Sequence, residues 1–140
     1  MTQAAIALNS AAIVPEARRM EFLPAMLSPR LILIGERTVY QFMSWLAPDD
    51  HAGGLWYFHE REGHPLFIAP ASDKRFRDFC ETNGYRGEVS AEAAGIIATL
   101  FALSHLSFRH DGDKLSEGYM RLSEFAGDHP GASEIFKAID

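Results

Sequence analysis

The chain carries a single cysteine, Cys80, among its 140 residues, so no disulfide forms within it. That suits a reducing, cytoplasmic setting, where thiols stay free. Long apolar runs are equally scarce. The longest nearly continuous one, residues 93–103, is too short for a bilayer core of about 30 Å and suits a buried helix. Residues 1–14 are rich in Ala and Ile but lack the basic start of a secretory signal, and they read as a mobile tail ahead of one domain, 15–140. An excess of positive charge is missing too: 13 basic residues face 19 acidic ones, for a net charge of -6. Phosphate contacts dominate nucleic-acid affinity, so direct binding to nucleic acid is not expected. Acidic and basic residues nonetheless alternate closely, as in Arg61-Glu62 and Arg77-Asp78, which argues against rows of carboxylates imitating DNA.

Motifs that carry chemistry are also lacking. His59 and His64 are five apart around a turn, whereas the zincin motif needs two histidines four apart on one helix face. Ser104 and His105 have no nucleophile elbow and no evident orienting acid, so His105 reads as a buried, satisfied histidine. Cys80 lies on an apolar stripe and reads as core. Gly53-Gly54 lacks the further glycines and the lysine of a phosphate loop, and serves a tight turn. Lys74, Arg75 and Arg77 read as a solvated helix face. No cofactor, metal or catalytic activity is expected.

What is present is punctuation and periodicity. Pro15 suits a first helical position, and that helix should stop before Pro24. The run from Arg30 to Ile34 reads as a short strand or a buried lead-in. Val39, Phe42, Met43 and Leu46 recur at helical spacing within residues 36–46, and Pro48 ends that helix. Residues 55–59 and 66–69 are aromatic and branched, with a polar, glycine-containing connector at 60–65, so they predict a β-hairpin with apolar residues on both faces. Ser72 or Asp73 starts a predicted helix over 74–83, with Phe76, Phe79 and Cys80 inward and Asn83-Gly84 as its left-handed exit. Glu88-Val89 is a brief third strand. Ser90 then caps a helix over 91–107 that is apolar nearly all round and belongs at the centre of a fold. Gly95 inside it implies a closely packed neighbour. Leu115, Tyr119, Leu122 and Phe125 mark an amphipathic helix, and Ile135, Phe136 and Ile139 face inward from a last short one. The whole predicts an α+β fold: a small antiparallel sheet, a hairpin plus a short third strand, among about five to six helices in a single domain.

These residues carry a resemblance. The elements Pro15-Glu16-Ala17-Arg18-Arg19, Gly53-Gly54-Leu55-Trp56-Tyr57-Phe58 and Phe67-Ile68-Ala69-Pro70 occur in order. Asn83-Gly84, Ser90-Ala91-Glu92-Ala93-Ala94-Gly95-Ile96, Tyr119-Met120-Arg121-Leu122, His129-Pro130 and Ile139-Asp140 follow. The chain resembles the ArdB/KlcA antirestriction family, and its KlcA branch most closely. The resemblance implies a plasmid- or mobile-element-borne protein that helps incoming DNA escape type I restriction-modification, with a compact α+β fold unlike the acidic DNA mimics of the separate ArdA family. Partners then expected are proteins, either type I restriction enzyme subunits or another host factor, met by a monomer. The motif residues Gly53, Gly54, Trp56, Phe58, Pro70, Asn83, Ser90, Ala94 and Gly95 read as mainly structural. Candidate functional surface is Asp49 and Asp50 in the loop before the hairpin, and Asp140, which bears two carboxylates beside an inward Ile139. The competing reading is a small enzyme or ligand-binding domain, with a cleft between hairpin and central helix that gathers Ser104, His105, Trp56 and Tyr57.

Overall fold

A computed structural model describes residues 11–51 and 54–140. The chain runs β1 (Ala12–Ile13), a 3-10 turn (Glu16–Arg18), α1 (Arg19–Met26), a second 3-10 turn (Pro29–Leu31) and α2 (Ile32–Leu46). Four strands follow: β2 (Trp56–Arg61), β3 (His64–Pro70), β4 (Arg75–Cys80) and β5 (Tyr85–Ser90). The chain closes with α3 (Ala91–Arg109), α4 (Asp113–Gly127) and α5 (Ala132–Ile139). The architecture is α+β, as expected, but it holds two antiparallel sheets, β1-β2-β3 and β4-β5.

The β2–β3 hairpin turns on Glu62 and Gly63, whose φ values of 52° and 78° match the two-residue turn that follows strand twist. Its connector is therefore shorter than the predicted 60–65. Trp56 and Phe58 point to one face, where Tyr40 of α2 lies 4.6 Å from Trp56 and Phe22 of α1 stacks 4.7 Å from Phe58. The opposite face is roofed by α3 over β3, while Tyr57 of β2 remains 37% exposed. Coverage of the second face is thus incomplete, which leaves room for the groove described below. The stretch predicted as a mobile tail contributes at its end: Ala12 and Ile13 pair with Glu60 and His59, and Val14 is buried. Residues 1–10 lie outside the described residues.

The predicted central helix forms as α3. Ser90 Oγ accepts the Ala93 N–H at 3.0 Å, a cap worth about 1 kcal/mol. Ala94, Ile96, Ile97, Leu100 and Leu103 are all buried. By length and composition α3 is apolar enough to cross a membrane, yet it is the helix around which the core is built. Gly95 supplies the close approach: a Cβ there would sit 2.4 Å from Ala69 Cβ and 2.5 Å from the Ile68 carbonyl oxygen. One turn on, the buried Thr99 hydroxyl accepts from Ile68 N–H at 3.3 Å and lies 3.4 Å from its carbonyl. The helix thereby occupies the free edge of β3, where unpaired backbone otherwise invites strand addition.

Five local expectations are corrected. Residues 74–83 are not a helix but β4 and the turn into β5, in register from Arg75↔Ser90 to Cys80↔Tyr85. Phe76, Asp78 and Cys80 alternate inward while Arg75 and Arg77 point out, a period of two that also satisfies helical spacing by coincidence. Glu88-Val89 belongs to this second sheet, and the short third strand beside the main hairpin is β1. Pro24 lies inside α1, because burial of Phe22, Leu23 and Met26 outweighs one lost hydrogen bond near the helix end. The run from Arg30 to Ile34 starts α2 at Ile32, with Leu33 81% and Ile34 51% exposed, an apolar outer side that hid the helical period. Phe136 points outward rather than into the core.

Candidate functional site

A groove of about 350 Å³ lies between the open part of the β2 face and the first turn of α3. Ile13, Ala69 and Pro70 give it an apolar side, and Tyr57, Ser72, Asp73 and Glu92 give it polar and aromatic walls. Its floor holds His59, which strand alternation directs to the same side as Tyr57. The His59 ring stacks on Phe67 at 4.3 Å and 8°, is 6% exposed, and leaves Nδ1 buried with no hydrogen-bond partner. Burial holds its pKa below the usual histidine value, which favours the neutral ring. Glu92 approaches from α3. His129 Nε2 lies 2.9 Å from its Oε1, and the hydrogen bond from His129 holds the Glu92 pKa below the usual carboxylate range. The Gly131 N–H in turn donates to His129 Nδ1 at 2.9 Å, which fixes the ring. Sequence reading missed this cluster because its members come from β2, α3 and the loop before α5. The one local signal was His59 sharing a strand face with Tyr57.

The candidate surface residues divide. Asp50 is engaged within the chain: its carboxylate accepts from Arg77 N–H at 2.8 Å and from the Arg77 guanidinium at 2.9 and 3.0 Å. Those bonds push its pKa down to about 2. It ties the loop to β4. Asp49 and Asp140 are exposed. Asp140 follows α5, whose end is held by Asn83: Asn83 Nδ2 donates to the Ala138 carbonyl at 2.8 Å, and Oδ1 accepts from Tyr85 N–H at 2.9 Å. Tyr85 Oη donates to Glu134 at 2.7 Å from the same hairpin. The structure thus anchors both candidate regions on β4–β5.

The motif residues that are described have definite places in the framework. Gly54 has φ 101°, a backbone that glycine adopts without strain, and Gly53 lies outside the described residues. Trp56, Phe58, Pro70 and Ala94 are buried, Asn83 joins turn to helix, Ser90 caps α3, and Gly95 seats it on β3.

The residues named by the competing reading do not assemble: Tyr57 lines the groove between hairpin and central helix, but Ser104, His105 and Trp56 do not. His105 is exposed, with its ring 5.7 Å from Phe42, so it is not the buried histidine expected. Trp56 packs on Tyr40 and His51, and the space beside Gly95 is filled by Ala69. Cys80 is buried as expected, on a strand instead of a helix. Among the described residues no three His, Cys, Asp or Glu side chains converge to hold a metal ion. Buried Asp78 also escaped sequence reading: both its oxygens lack partners among the described residues, and burial, reinforced by the charge of Asp50, raises its pKa to about 7.

Comparison with known proteins fits this architecture. The chain is 39% identical over 135 residues to an antirestriction protein KlcA of Escherichia coli, covering 94% of each. A second E. coli KlcA is 41% identical over 133 residues, covering 91% of this chain and 90% of the relative. YafX of E. coli K12, an uncharacterised protein, is 34% identical over 131 residues, covering 91% of this chain and 85% of the relative. A solved structure superposes with a TM-score of 0.82 at 40% identity, covering 94% of both chains. It comes from work describing KlcA and ArdB as a novel fold with antirestriction activity against type I DNA restriction systems in vivo but not in vitro. A family model described as antirestriction protein matches residues 49–140, and with these relatives it establishes that the chain belongs to the antirestriction protein family.

Proposed function

We propose that this chain relieves type I restriction-modification of incoming DNA, as a non-catalytic cytoplasmic monomer borne on a plasmid or other mobile element, acting through protein contacts. The observation that carries this reading is the shared fold and sequence over 94% of a chain described as active against type I systems in vivo but not in vitro. Activity of those relatives in vivo but not in vitro supports a route through a further host component, met by a protein surface. The net charge of -6 and the interspersed charges support a protein partner over nucleic acid. The surface offered for that contact is Asp49 and Asp140, the two exposed members of the candidate set. Asp50 serves instead to hold its loop on Arg77. The test is survival of unmodified DNA in a type I-restricting host with and without the protein. Survival should rise at least about tenfold, and unchanged survival with folded protein present overturns the reading. Asp140→Ala should lower that relief without moving Tm; full relief by this variant removes the C-terminal contact.

A further inference from the structure

We infer that the groove between β2 and the start of α3 receives one basic side chain, an arginine or lysine of a protein partner. Each of its polar side chains offers an acceptor, and two of them, Asp73 and Glu92, are carboxylates. Glu92 spends Oε1 on His129 and keeps Oε2 uncommitted. Asp73 has no ion-pair partner among the described residues. Ser72 Oγ, 3.1 Å from Lys74 N–H, has a second lone pair to offer. His59 brings an imidazole nitrogen that nothing among the described residues satisfies.

A ligand for such a site must be rich in donors, positively charged and narrow. A guanidinium or ammonium on an alkyl stem meets all three requirements. The stem packs along Ile13, Ala69 and Pro70, and the half-exposed Tyr57 ring offers a face to the cation. The hydrogen bond from His129 favours the charged form of Glu92, and its place in the first turn of α3 acts in the same direction. An anion fits nowhere here, since no lysine or arginine lines the groove. The site differs from the Asp49 and Asp140 surfaces. It rests on the proposed function only for the source of the basic residue.

Binding is tested on the purified full chain by NMR, following the rings of His59 and Tyr57. The probes are N-acetyl-arginine amide, N-acetyl-lysine amide and the uncharged isostere N-acetyl-citrulline amide. Saturable shifts are expected with the arginine and lysine probes, and affinity at least about tenfold weaker with citrulline. Asp73→Asn, an exposed change that leaves the fold intact, and Glu92→Gln, which keeps an acceptor for His129, should each weaken binding several-fold. Equal binding of citrulline and arginine, no saturable shift, or indifference to both substitutions overturns the site. In restricting cells, both variants should lose DNA protection at unchanged protein level. Full protection by a variant that no longer binds the probes overturns the partner role. A wild-type chain that gives no protection refutes the proposed function alone and leaves the binding result standing.

Discussion

Gly95 and Gly87 both occupy places where a methyl group would collide, but the obstacles differ in kind. At Gly95 the obstacle is the backbone of β3, the Ile68 carbonyl and the Ala69 Cα, both under 3 Å from an added Cβ. At Gly87 it is the far end of two side chains, Tyr85 Oη and Glu134 Oε1. The first region, α3 on β3, is a dry crossing of rigid elements. The second, β4–β5 with its loop and α5, is tied by polar groups: Asp50 to Arg77, Tyr85 to Glu134 and Asn83 to Ala138. Rigid backbones have no way to yield, whereas side chains rotate away at the cost of a hydrogen bond. The groove lies where these two regimes meet, with Glu92 on α3 and Asp73 just before β4.

The sharpest way to break this contrast is Gly95→Ala. It should destabilise by about 3 kcal/mol or more, lowering Tm by roughly 10 °C in thermal unfolding. A loss under about 1 kcal/mol would mean that α3 slides freely on β3. Next comes Asp78→Asn. The raised Asp78 pKa means the folded state binds more protons than the unfolded state between the ordinary value of 3.8 and about 7. Native stability therefore falls as pH rises through that window. The asparagine variant lacks this slope, so its Tm relative to the native chain should climb by about 10 °C between pH 4 and pH 8. A constant difference would show the carboxyl to be solvated. Gly87→Ala should cost only about 1 kcal/mol, the price of one displaced Tyr85–Glu134 hydrogen bond, with faster amide exchange confined to α5. Smallest is Arg77→Ala. The Arg77 side chain is largely exposed, so the change in Tm should be the least of the four, and the effect should appear mainly as loosening of residues 49–51 in hydrogen exchange.

The same contrast explains which elements were readable in advance. In α3 the cap, the glycine and the all-round apolar pattern agree, so local preference and tertiary need point one way. Residues 75–80 were misread because Phe76, Phe79 and Cys80 satisfy a helical stripe while Phe76, Asp78 and Cys80 satisfy a strand. Pairing with β5 decides between them, and pairing is not local. Leu33 and Ile34 misled in the opposite way, as apolar residues on the outer side of a helix. For the candidate surface, exposure at Asp49 and Asp140 was foreseeable, but the capture of Asp50 by Arg77 needed the fold. His59, Glu92 and His129 were invisible as a group, since 70 residues separate the first from the last.

Read as a string, the chain settles its family, its α+β class, the capped central helix and the small residue at the tight crossing. Each of these depends on residue identity within a turn or two, where capping, propensity and hydrophobic period act directly. The tertiary structure alone decided the second sheet, the pairing of Ala12 and Ile13 with β2, the strand in place of a helix at residues 75–80, and the acceptor-lined groove. Those depend on which distant backbone offers hydrogen bonds and which distant surface removes water, and neither is written into any short window of sequence.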